Sequence, residues 1–86
     1  MPELSRFFGI VVAMHYNDHA PPHFHARYGS ERATISVRDM TVLDGQLAPR
    51  VLGLTVEWGM QHRDELMANW ARSARQLPLV PIAPLG

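Results

Sequence analysis

The chain has no cysteine, no lysine and no apolar stretch approaching the length of a membrane span. Without cysteine there is neither a disulfide framework nor a thiolate zinc site, which suits a cytosolic protein. Without lysine, all 8 positive charges are arginine, set against 8 carboxylates. Codon bias in a GC-rich genome explains that choice more simply than function does, although the planar guanidinium fork suits phosphate and carboxylate. A formal net charge of zero argues against indiscriminate nucleic-acid binding and leaves room for a local basic site. Length is short as well. At 86 residues the chain makes one small domain over 1–86, marginal enough alone that a homodimer or an obligate partner is a live option. The run FFGIVVAM after Arg6 has the look of a signal-peptide core, but Glu3 precedes it and a strand pattern continues out of it. The expected location is the cytoplasm, with no membrane contact.

What is present is a β-rich first half. Residues 7–16, FFGIVVAMHY, read as a strand with Phe8, Ile10, Val12, Met14 and Tyr16 on one face and His15 on the other. HFHARY follows the breaker NDHAPP as a second strand, placing Phe24, Ala26 and Tyr28 against the core and His23, His25 and Arg27 outward. Gly29-Ser30 suits a type II′ turn into ERATISV. That turn pairs Ala26 with Ala33, Phe24 with Ile35, His25 with Thr34 and His23 with Ser36, apolar on apolar and polar on polar. Arg27 then faces Arg32, a repulsive pair unless an anion or carboxylate lies between them. RDM turns the chain, TVL forms a short fourth strand, and Asp44-Gly45 turns it again.

Pro49 suits a helix start. Val51, Leu54, Trp58, His62, Leu66 and Trp70 recur at helical spacing, predicting one long helix over 48–76, bent near Gly59 or His62. The tail 77–86, with three prolines, is extended and apolar and should lie on the domain or on a partner. The expected fold is therefore α+β. An antiparallel sheet of three to four strands lies within 1–47, one long C-terminal helix covers its apolar face, and a Pro-rich tail follows.

With SRFFGIVVAMHYNDHAPPHFHARYG, DGQL, EWGMQHRDELMANW and the closing I-A-P-L in view, the chain resembles a family of small prokaryotic proteins, the domain of unknown function 4160. The resemblance implies a bacterial two-gene module, toxin–antitoxin-like, with a partner encoded nearby of the domain of unknown function 2442 type. It assigns no activity and no catalytic residue.

Three functions compete for the histidine face. In the first, His15, His23, His25 and Arg27 form a metal-independent, RNase-like centre: two histidines exchange protons while arginine neutralises phosphate. Arg27, Arg32, Thr34 and Ser36 then bind RNA, DNA or another anion, and no cofactor is needed. In the second, the chain is a non-enzymatic module that docks on a protein partner or a second copy. In the third, His15, His23 and His25 hold zinc or another divalent metal, with Asp18 or His19 as a fourth ligand; His-x-His spacing alone does not favour it. Trp58, Trp70 and His62 read as core, Tyr16 and Tyr28 as core-side, and Arg63-Asp64-Glu65 as a solvated helical face.

Overall fold

In the computed structural model, which describes residues 2–86, an α+β fold carries five strands and two helices. The strands are β1 (Glu3–Phe7), β2 (Ile10–Ala13), β3 (His23–Tyr28), β4 (Glu31–Ser36) and β5 (Val42–Gln46). They form one antiparallel meander in chain order.

The strand expected over 7–16 is a hairpin. Phe8 (φ 49°) and Gly9 (φ 80°) both adopt the left-handed region, as a two-residue primed turn demands, and Phe7 pairs with Ile10. Phe7 therefore joins Ile10, Val12 and Met14 in the core, whereas Phe8 is exposed at the turn. Tyr16 and Tyr28, expected on the core side, are exposed too. The β3–β4 hairpin has the register that Gly29-Ser30 implies, from Tyr28↔Glu31 through His23↔Ser36, with Gly29 at φ 57°. Asp44-Gly45 does not turn the chain. Gly45 (φ 79°) lies inside β5, where a register shift opposite Thr34 and Ile35 lets the edge strand run on.

The single long helix is two, α1 (Pro49–Gln61) and α2 (Arg63–Ala74), separated at His62. The His62 backbone (φ −121°) leaves the helical region, and Asp64 and Glu65 in the first turn of α2 favour a fresh N-terminus there. Buried positions Val51, Thr55, Trp58, Leu66, Asn69 and Ser73 keep helical spacing across the break, so both helices present one stripe to the sheet. Arg63 is not merely solvated: its Nε donates to Val37 O at 3.1 Å. Phe24, Ile35, Trp58 and Leu66 are among the fully buried side chains at the centre.

The tail docks on its own chain. Ile82 is buried and its N–H donates to Leu4 O at 2.8 Å, and Trp58 Nε1 donates to Ala83 O at 2.8 Å. Asn69, also buried, donates from Nδ2 to Val80 O and accepts from Val80 N. Among the described residues no helix is long and apolar enough to cross a membrane.

Candidate functional site

Pairing of Ala13 with His25 brings the end of β2, the following loop and the start of β3 together. The His15 ring stands edge-on to His25 with centroids 4.3 Å apart, and His23 lies 5.2 Å from His25. The three imidazoles predicted to gather do so, with His19 against His23 at 5.8 Å. They do not all face water. His23 is 4% exposed because Trp70 of α2 lies against it at 5.0 Å. The loop is pinned beneath that helix by Asn17 N–H donating to Ser73 O at 3.1 Å. Ser36 is buried as well, and its hydroxyl accepts from Asp39 N–H at 3.2 Å. It therefore caps the β4–β5 turn and does not join Arg27, Arg32 and Thr34.

Asp18 organises the cluster. One oxygen accepts the His19 N–H at 2.8 Å. The other, Oδ2, lies 2.9 Å from His23 Nε2 and 3.7 Å from His25 Nε2. His23 Nδ1 is 2.7 Å from Pro21 O; a carbonyl only accepts, so Nδ1 carries the proton. His25 Nδ1 is 3.3 Å from Thr34 Oγ1. The prolines thus have a direct use. Pro21 supplies the acceptor that orients His23, and Pro22 O accepts Val37 N–H at 3.0 Å, tying the loop to the end of β4.

Partial burial pushes the Asp18 carboxyl up, but the His19 N–H and the His23 ring outweigh it and hold it below the usual carboxylate range. Burial pushes the His25 imidazole below the usual histidine range; the neighbouring His15 and His23 rings add to this and Asp18 opposes it. His25 Nε2 is buried without a hydrogen-bond partner, since 3.7 Å to Asp18 is too long for one. Such an atom costs about 1–3 kcal/mol.

An acid-stability profile follows for the metal-free chain. A His25 ring kept neutral by folding leaves the unfolded chain binding more protons below its ordinary value of 6.5, so stability falls as pH drops through that value. Asp18 acts lower. Its contribution is complete above the ordinary 3.8 and is lost as pH falls through the depressed value. Thermal melts in chelator should decline in two stages, and His25→Gln should flatten the upper one. An upper stage that is unchanged in this variant would assign it to another group.

Beside the cluster a groove of about 350 Å³ crosses the exposed sheet face, floored by Val11 and Ala13 and edged by His15, His25, Arg27, Arg32 and Thr34. Arg27 and Arg32 face each other across β3 and β4, and among the described residues neither guanidinium has a carboxylate partner. Asp44 also lines the groove, opposite Thr34. The Asp-Gly pair reads as a turn, which hides it, and alternation along an edge strand continuing past Gly45 is the signal that would have revealed it.

Fold and site together define a small α+β protein with a histidine–carboxylate cluster at one end of an arginine-flanked sheet groove. The chain belongs to the family described as domain of unknown function (DUF4160), whose model matches residues 9–71. The match runs from the first hairpin turn into α2 and takes in every residue of the cluster and groove. No curated protein and no solved structure was found to match.

Proposed function

We propose that the groove binds a phosphate-bearing polyanion, nucleic acid first, and that the chain works as one component of a two-gene, toxin–antitoxin-like module. The observation that carries this reading is the Arg27–Arg32 pair, two exposed arginines in direct register, neither paired with a carboxylate among the described residues. A phosphate oxygen between two such forks relieves the repulsion and gains charge-assisted hydrogen bonds. The family resemblance, with its two-gene context, supports the module.

Binding fits better than metal-independent cleavage. Acid–base hydrolysis needs two imidazole nitrogens within reach of substrate. His23 has Nδ1 committed to Pro21 O and Nε2 turned to Asp18, away from the groove, and His25 has one nitrogen engaged by Thr34 and the other buried. Only His15 is left open to the groove.

Fluorescence anisotropy with a labelled single-stranded RNA tests the proposal. Arg27→Ala combined with Arg32→Ala should weaken binding at least about tenfold near 0.1 M salt and lower the log–log salt slope by about 0.7, the value for one phosphate of a single strand. Unaltered affinity in a folded double variant would dispose of the groove as the binding surface. A second reading, docking of a partner protein, rests on β5, an edge strand whose Val42 and Leu43 are exposed and whose free backbone groups can accept another strand.

A further inference from the structure

We propose that Asp18 Oδ2, His23 Nε2 and His25 Nε2 bind a divalent transition-metal cation of the zinc class, with at least one coordination position left open. The proposal stands apart from polyanion binding, although His25 belongs to both surfaces.

Convergence is the first ground. The three ligating atoms lie within 4.8 Å of one another. The two edges that meet at Asp18 Oδ2, 2.9 and 3.7 Å long, bracket the roughly 3.3 Å edge of a tetrahedron built on metal bonds of about 2.0–2.1 Å.

Outer partners are the second ground. A metal-bound histidine nearly always donates its other N–H to a carbonyl, carboxylate or water, which fixes the tautomer and aims the free lone pair. Both rings meet this requirement. His23 Nδ1–H is committed to Pro21 O at 2.7 Å, and Thr34 Oγ1 is placed 3.3 Å from His25 Nδ1, ready to accept. Each Nε2 is thereby directed at the same Asp18 oxygen.

The third ground is what those lone pairs meet. With Nδ1 protonated, the neutral His23 ring offers an unshared pair at Nε2 to a carboxylate oxygen 2.9 Å away, two acceptors facing each other. Only positive charge on that line, a second ring proton or a cation, makes the contact favourable. A proton on His23 would leave His25 Nε2 still buried and unpartnered; a cation satisfies both nitrogens and the carboxylate at once. Two imidazoles with one carboxylate and no thiolate suit zinc, iron, manganese, cobalt or nickel in preference to calcium or magnesium. Three protein ligands with an open position is the pattern of a reactive rather than a purely structural centre. Asp18 thus takes the place that spacing alone would give to His15, whose ring packs edge-on against His25.

The test uses the full chain, purified without a histidine tag and stripped with chelator. Zinc and cobalt(II) are titrated by calorimetry and by the visible absorption of tetrahedral cobalt. One equivalent should bind, with micromolar or tighter affinity and a raised melting temperature. Asp18→Asn and His25→Gln should each weaken binding by at least about 100-fold. His62→Gln, at the break between α1 and α2 and outside the cluster, should leave both stoichiometry and affinity in place. Both ligand variants are checked for folding by circular dichroism. His25→Gln lies in the less buried part of the cluster and supplies the answer should Asp18→Asn unfold. The proposal is overturned by absence of binding at millimolar metal, or by binding that survives both Asp18→Asn and His25→Gln in folded protein, which would place the metal at other groups.

Discussion

Replacing Trp58 by alanine should leave the chain largely unfolded at physiological temperature. Trp58 is fully buried; its ring lies 5.4 Å from Phe7, 5.9 Å from Phe24 and 5.4 Å from His62. It therefore joins the first hairpin, the centre of the sheet and the helix break in one contact set. Truncating a buried tryptophan costs about 3–5 kcal/mol through lost contacts and an unfilled cavity. The Ala83 carbonyl also loses its donor, which adds about 1 kcal/mol. A domain of this length holds in total about 4–13 kcal/mol, so the lower part of that range is consumed. Urea titration followed by circular dichroism reads the outcome. Trp58→Phe keeps most of the ring but not the N–H, so it should fold with a small loss and release the tail to protease near Ala83. A cooperative Trp58→Ala transition at the wild-type midpoint would show that the sheet and helices are held together elsewhere.

The parts of this fold legible in the sequence are those where two local signals agree. In the second hairpin, Gly29 and the alternation on both strands demand the same register, and a one-residue slip would turn His25 and Arg27 toward the core and expose Phe24 and Ile35. The first hairpin carries no such agreement. Phe8 is a poor residue for a left-handed turn, and residues 7–16 read as one uninterrupted strand in which only Gly9 hints at a break. Asp44-Gly45 misleads in the opposite direction, because a turn dipeptide can also sit at an irregularity within an edge strand. The helix break falls at His62, one of the two positions where a bend is expected. Gly59, the other, serves close packing instead. A Cβ there would lie 2.6 Å from Met40 Sδ, so the glycine admits the β4–β5 turn against α1.

The histidine cluster is legible for the same reason as its hairpin, since His-x-His on a strand puts both rings on one side. The centrality of Asp18 is not. It depends on a loop whose path is set by backbone contacts remote in sequence, Pro22 O with Val37 N–H and Asn17 N–H with Ser73 O. Asn69 gives no signal either, because a polar residue on a helix reads as surface until its partner is known, here the Val80 backbone in the tail. One consequence joins these details. α2 holds the tail through Asn69, the loop through Ser73 and the His23 ring through Trp70, so the proline-rich tail and the candidate site share a support at opposite ends of the sequence.

Gly45→Val should produce the other large effect, and it connects edge-strand stability to the groove. Gly45 sits at φ 79°, and a Cβ on it would lie 2.2 Å from Arg32 O, a backbone atom that cannot rotate away. The left-handed conformation alone costs a β-branched residue about 1–3 kcal/mol, and the clash forces β5 outward from β4. Pairing of Ala33 with Gly45 and of Arg32 with Gln46 is then lost, and Asp44 leaves the groove wall it shares with Thr34. The urea midpoint should fall, amides along β4 should lose hydrogen-exchange protection before the helices do, and RNA affinity should change even where the rest of the sheet survives. Gly53→Ala provides the contrast. Gly53 lies within α1 with nothing inside 4 Å of its added Cβ, so substitution there should stabilise by about 0.5–1 kcal/mol. If both variants melted alike, backbone geometry at the β4–β5 edge would not limit stability, and Asp44 would owe its position to something other than the strand beneath it.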